Sequence, residues 1–483
     1  MIMLFTSMEF LLVFFPVTLG IYFILPHKAR NVWLLAASLF FYAWGEPVFV
    51  LAMVFSIVFN YLLALRIDEL ARYNQPGKTH PGRKILFIFA ICVNLSILFV
   101  YKYMNFVTGT LHEIFPATQS MFEKTNYTLP IGISFFTFQA MSYVIDVYRG
   151  IPAQKSILNI GLYISLFPQL IAGPIVRYTT VMEQLEDRCT TLSKFTKGFK
   201  RFLIGFNKKV LLANIMALVA DHAFGSAELS VCMAWLGAIA YALQIYFDFS
   251  GYSEMAIGLG QIFGFDFLEN FNYPYISKTI TEFWRRWHMS LGTWFRDYLY
   301  FPLGGSRVKS RARLVFNLAV VWLATGIWHG ANWNFILWGV LYGVLLIIEK
   351  LFTLPKKLEK KKTLSGLYQA FAMLMVLFGW VLFRAEDMPS ALHYLRSMVG
   401  TVGNELWNTD FLVYCRDYLI MVVAALVFAL PVCKKIKEWL MEKFPRQESL
   451  LESLALVLQA ILFIVSVSFL AMNAHNPFIY FNF

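Results

Sequence analysis

Two of the chain's eight histidines, His288 and His329, sit where an ionisable ring is expensive. His329 occupies ATGIWHGANWNF (324–335), between Trp328 and Gly330, with apolar runs at 314–323 and 336–348 on either side. His288 occupies TEFWRRWHMSLGTWF (281–295). There Trp284, His288, Leu291 and Phe295 recur at helical spacing, which puts the ring on an aromatic stripe. The other six read as ordinary: His27, His80, His112 and His393 in loops, His222 and His475 near helix ends. A neutral imidazole titrates near neutrality and takes a proton from a hydroxyl. Acyl transfer from a thioester to an alcohol needs that, with a second polar group to hold the oxyanion or orient the base. A packed histidine bonded to a carbonyl is the plain alternative for each ring. Metal binding is another, but two histidines with no further Cys or His are too few for a typical zinc site, and no metal is expected.

Arg285, Arg286 and Arg296 flank His288. They suit the phosphates of a cofactor such as coenzyme A, and each alone suits a lipid head group equally well. In QIYFDFSGYSEMAIG (244–258), Asp248 and Glu254 fall at or beyond a helix end, to line a polar path or to pair with those arginines.

The elements that must position these residues are membrane helices. The 483-residue chain is 59% hydrophobic and 14% charged, against about 25% charged in a soluble domain. Repeated apolar runs long enough to span a bilayer make it an all-α polytopic membrane protein. Its aromatic load suits interfacial belts. MIMLFTSMEFLLVFF opens without a basic segment and reads as a retained first span. The net charge of +12 is spread between hydrophobic segments, which argues for positive-inside loops and against nucleic-acid binding. Cys92, Cys189, Cys232, Cys415 and Cys433 show neither a disulfide framework nor metal spacing.

Eleven spans are expected, at 3–25, 32–45, 47–65, 85–107, 129–148, 156–176, 231–249, 314–347, 365–383, 412–431 and 453–473. Segment 198–220 mixes lysines with apolar residues and reads as interfacial or partly spanning. The basic loops 66–84, 350–362 and 434–446 belong in the cytoplasm. Loops 109–128 and 385–411, less basic and holding Glu113, Glu123, Glu386, Asp387, Glu405 and Asp410, belong outside. So does the C-terminal HNPFIYFNF. Segment 314–347 then begins and ends on the same side, so two shorter helices that dip in and return are expected. Their break falls near Gly326, Gly330 and Asn332, with His329 at membrane depth. Between Pro274 and Pro302 a single helix carrying His288 is expected.

Several long stretches carry a resemblance: LPIGISFFTFQAMSYVIDVYRG, FPQLIAGPIVRY, LQIYFDFSGYSEMAIGLG, ENFNYPYISKTITEFWRRWHMSLGTWFRDYLYFPLGG and TGIWHGANWNFILWG. Together with NVWLLAASLFFYAWGEP and the terminal NPFIYFNF, they resemble the membrane-bound O-acyltransferases, in particular the bacterial polysaccharide O-acetyltransferase branch. The resemblance runs end to end; Gly292 stands where that branch's motif has Ser. It implies one membrane domain over 1–483: a catalytic core at about 129–347, C-terminal helices at 365–473, and an extracytoplasmic aromatic tail at 474–483. It implies a ring of helices around a tunnel in the bacterial cytoplasmic membrane, His329 as the catalytic histidine and His288 as its partner.

The residues expected along the tunnel are Asp248, Ser250, Trp284, Ser290, Trp328 and Asn332. The implied donor is cytoplasmic acetyl-coenzyme A, bound through Arg285, Arg286 and Arg296. The implied acceptor is an extracytoplasmic polysaccharide or cell-wall glycan, reached through a partner of the SGNH-hydrolase type. Aromatic C-terminal motifs in related systems act as acyl relays. Tyr480 is therefore expected either to accept the acetyl group or to anchor the tail at the interface. D-alanyl transfer to teichoic acid is the enzymatic rival, and a transporter or flippase is the rival of another class.

Overall fold

The structure, a computed structural model, describes residues 3–73, 79–115, 125–358, 361–472, 476, 478 and 479. Every regular element among them is a helix. Nine of these helices are long and apolar enough to cross a bilayer. The protein is thus an all-α, multi-pass membrane protein.

The nine differ from the eleven expected in instructive ways. The 314–347 segment becomes two helices, Arg311–His329 and Trp333–Leu351, each 19 residues long. At about 1.5 Å per residue each rises roughly 28 Å, long enough to cross the hydrocarbon core. Segment 198–220 lies within one helix of crossing length, Leu192–Gly225. Val231–Ile262 continues well past 249, so Asp248 and Glu254 lie inside a helix. It continues because its charges are met: Glu254 by Arg201 and Lys208, Asp248 by Lys209. Conversely, 156–176 forms the nine-residue helix Ile157–Ser165 and a four-residue one, Phe167–Leu170, with Pro168 in its first turn, neither long enough to span. Ile133–Tyr148 has 16 residues, nearly all buried in protein. The chain's first helical stretch, Phe10–Ile24, is short. The Pro274–Pro302 stretch is not one helix but two, Ile280–Arg286 and Met289–Phe295.

The chain forms two compact units. One comprises Met1–Phe199 and Ala256–Leu268. Its core includes a cluster of phenylalanines, Phe5, Phe10, Phe14, Phe41 and Phe167, with ring centroids 5.0 to 6.4 Å apart. Asn60 and Asn94 exchange amide hydrogen bonds of 3.1 and 2.7 Å between two apolar helices, the polar joint expected where water is absent.

The other unit, Lys200–Met255 and Glu269–Phe483, holds both histidines of interest. Its centre is aromatic, with Trp338, Trp380 and Tyr342 fully buried. Two glycines let the Arg311–His329 and Trp333–Leu351 helices touch backbone to backbone. A Cβ on Gly326 would lie 2.5 Å from the Phe335 carbonyl oxygen, and one on Gly339 would lie 2.6 Å from that of Trp322. Gly326→Ala is therefore expected to cost about 1–3 kcal/mol by overpacking. Gly366→Ala, where a Cβ meets nothing within 4 Å, should be neutral or slightly stabilising. Thermal unfolding of the detergent-solubilised variants checks both.

Candidate active site

His329 is the last residue of the Arg311–His329 helix. Gly330 leaves the helix in extended backbone, and the Asn332 side chain accepts the Asn334 N–H at 3.1 Å to start the return helix. The turn is tied down by Asn332 and Asn334, which donate to the carbonyls of Glu386 and Ala385 at 2.9 and 2.8 Å. Three rings enclose the imidazole edge to face: Trp328 at 5.0 Å, Trp338 at 4.9 Å and Phe383 at 5.2 Å between centroids. The ring is thus held by packing with only 6% of the residue exposed.

His288 sits at the break between its two short helices, in the left-handed region at φ 46°, ψ 53°. For a non-glycine residue this costs on the order of 1–3 kcal/mol and persists only where the surroundings enforce it. Asn270 does so. Its carbonyl accepts the Met289 N–H at 2.9 Å, and its side-chain oxygen lies 3.0 Å from His288 Nδ1. Sequence reasoning missed Asn270, although ENFNYP is among the resembling stretches; an asparagine 18 residues from the histidine carries no local signal. Burial disfavours the charged ring and pulls the His288 pKa down to about 3, so it is neutral at physiological pH.

Glu349 was missed as well. It is fully buried on the Trp333–Leu351 helix. Its carboxylate accepts hydrogen bonds from Ile280 N and Thr281 N at 2.8 Å, from Thr281 Oγ1 at 2.5 Å and from Tyr368 Oη at 2.9 Å. A carboxylate at the helix start satisfies N–H groups that have no partner within the helix. It also fastens the element that leads to His288 onto the element that follows His329.

Both histidines line one cavity of about 640 Å³, together with Trp284, Arg285 and Arg296. A second cavity of about 940 Å³ shares Thr281, Arg285 and Lys350 with the first and adds Lys278. A third, of about 350 Å³, is lined by Asn332, Phe335, Phe383, Arg384, Glu386 and Ile479 among others.

Of the residues expected along a tunnel, Trp284 and Asn332 line these cavities, whereas Asp248, Ser250, Ser290 and Trp328 line none of the three. Ser290 is bonded to Asn270 rather than lining the first cavity. Trp328 packs between the two histidine rings, 5.9 Å from His288. Arg286 pairs with Glu282 and Arg296 with Asp297, which leaves Arg285 as the arginine of the three with no ion pair among the described residues. Asp248 is buried against Lys209 at 2.8 Å and accepts the Ile479 N–H at 2.8 Å. Ser250 is buried in the same helix. Tyr480 lies outside the described residues.

Two buried histidines thus line one cavity whose walls also carry the basic Arg285 and Lys350. Residues 84–385 match the model of the membrane-bound O-acyltransferase family. The chain is 44% identical to the probable alginate O-acetylase AlgI of Azotobacter vinelandii, over 82% of this chain and 78% of that protein. It is 34% identical to the peptidoglycan O-acetyltransferase of Helicobacter pylori, over 100% and 98%. It is 27% identical to the teichoic acid D-alanyltransferase of Bacillus subtilis, over 70% and 87%. The chain belongs to the membrane-bound O-acyltransferase family and is an acyltransferase, which decides against the transporter alternative.

Glu349→Ala would leave the Ile280 and Thr281 N–H groups buried without their acceptor. A loss on the order of 2–4 kcal/mol is expected, and a smaller one for Glu349→Gln, measured by thermal or denaturant unfolding of the purified protein.

Proposed function

We propose that this protein moves an acetyl group from cytoplasmic acetyl-coenzyme A to a hydroxyl of an extracytoplasmic polysaccharide or cell-wall glycan. The observation that carries the reading is the shared cavity of His288 and His329. The similarity to alginate and peptidoglycan O-acetylating proteins supports the acceptor class. On the donor side, Lys278, Arg285 and Lys350 line the neighbouring cavity near the basic 350–362 loop, where positive residues mark the cytoplasm. They suit the anionic phosphates of coenzyme A. Arg296 contributes positive potential from the rim of the histidine cavity. On the acceptor side, the third cavity lies beside Ala385 and Glu386, at the start of the less basic loop.

His329 takes the proton of the attacking hydroxyl as its oxygen bonds the thioester carbonyl carbon. The C–S bond breaks, and the proton passes to the departing thiolate. The products are an acetyl ester and free coenzyme A. His288 holds the reacting groups in register, and the aromatic walls of the cavity exclude water that would hydrolyse the thioester.

Tyr480 follows Ile479, whose backbone is fixed to Asp248 and which lines the third cavity. In this reading its phenol is the first acetyl acceptor, and a partner of the SGNH-hydrolase type carries the group on to the glycan. Tyr480→Phe keeps the aromatic anchor and removes the nucleophile. Acetylation of the cell-surface glycan is expected to fall to background in that variant; undiminished acetylation would rule out the relay.

The similarity to a teichoic acid D-alanyltransferase keeps one second reading, in which the donor is a D-alanyl thioester on a carrier protein. Purified protein supplied with each donor separates the two. Free thiol released from acetyl-coenzyme A is the expected result, and consumption of the D-alanyl carrier alone would favour the rival.

A further inference from the structure

Asn270 is 1% exposed, and its side chain bonds Ser253, Ser290 and the His288 ring. We propose that Asn270 is a positioning residue: it fixes the neutral His288 ring with its proton on Nδ1, so that Nε2 offers a lone pair and His288 acts as an acceptor, never as the donor to the acyl oxyanion. The chemical role rests on the acyl-transfer reading above; the position of the proton does not.

The geometry settles which amide atom faces the ring. The Ser290 backbone N–H, which can only donate, points to Asn270 Oδ1 at 3.2 Å, and Ser290 Oγ donates to the same atom at 2.9 Å. That atom is therefore the carbonyl oxygen. The amide nitrogen turns the other way and donates to Ser253 Oγ at 3.0 Å. His288 Nδ1 lies 3.0 Å from this oxygen, which only accepts, and 3.4 Å from Ser290 Oγ, whose hydrogen goes to Asn270 at the shorter distance; Nδ1 therefore carries the hydrogen. In the neutral ring Nε2 is then bare. It is buried, has no hydrogen-bond partner among the described residues, and belongs to a residue that lines the cavity shared with His329. The low basicity caused by burial keeps the doubly protonated ring, which alone could donate from Nε2, out of the resting state. Trp284 lines the same cavity, and its indole N–H is also buried without a partner among the described residues. It is a group placed to donate to the acyl oxygen, while His288 accepts from the thiol or hydroxyl.

The test combines a direct reading of the proton with a kinetic one. The full-length protein is labelled with ring-15N histidine and studied in nanodiscs, with the His288 signals assigned by their loss in His288→Gln. The expected spectrum shows a protonated Nδ1 and an unprotonated Nε2 in the unsubstituted protein. The same pattern is expected in Asn270→Asp, whose carboxylate still accepts from Nδ1, and a shift toward protonated Nε2 is expected in Asn270→Ala. With acetyl-coenzyme A as donor, Asn270→Ala should lower kcat about 10–100-fold with KM changed less than about threefold, and Asn270→Asp should recover much of the loss. A protonated Nε2 in the unsubstituted protein overturns the proposal, and so does an Asn270→Ala variant with unchanged tautomer and kcat. A purely structural role predicts equal damage in Asn270→Ala and Asn270→Asp with no tautomer change, which also overturns it. If the unsubstituted protein consumes no acetyl-coenzyme A, the donor assignment fails while the nitrogen spectrum still decides the tautomer.

Discussion

The Glu349 carboxylate joins the two histidine-bearing parts of the chain. It belongs to the helix that returns after His329, yet its hydrogen bonds go to the start of the broken helix that carries His288. A buried carboxylate is costly unless its oxygens are met, and four donors meet this one. Those bonds tie the two elements together in one arrangement. In that arrangement both imidazoles line one cavity.

Two further constraints act on top of this joint. The crossing at Gly326 and Gly339 sets how closely the helix of His329 approaches its return helix, which places Trp338 against the imidazole. Asn270 forces the left-handed turn at His288 and breaks what would otherwise be a continuous helix. Away from the histidines, the buried Lys209–Asp248 pair does a similar job for the end of the chain. Lys209 lies in a π-helical stretch, Lys208–Ala213, and also donates to Asn214 at 2.7 Å. Asp248 in turn accepts the backbone of Ile479, and Asn214 bonds Asn476 at 3.1 Å. Charges within apolar helices are expensive and persist where they are paired and used; here they hold Ile479, which lines a cavity together with Phe335 and Phe383.

Much of this was legible in the sequence. Composition and apolar runs gave a polytopic helical protein, and loop charge gave the hairpin at 314–347 because both ends are basic. The two histidines that share the cavity are the two chosen for their apolar, tryptophan-rich settings. What escaped was everything that depends on a distant partner. Asp248 and Glu254 looked like the end of a span because a charge in an apolar run ordinarily ends one; their cations lie 39 to 53 residues away in sequence. Glu349 drew no reading, because it falls between the expected span 314–347 and the lysine-rich loop that starts at Lys350. The helical spacing across His288 was genuine, but a left-handed residue leaves no trace in periodicity unless it is glycine.

The central claim, acyl transfer at the paired histidines, is tested most directly in proteoliposomes. Acetyl-coenzyme A is supplied on the side of the basic loops, and released thiol is followed together with acetyl ester formed on the opposite side. Transfer at His329 predicts one ester per thiol in the unsubstituted protein, and a fall of about 100-fold or more in His329→Ala of unchanged thermal stability. Thiol release and ester formation at the normal rate in His329→Ala would contradict it.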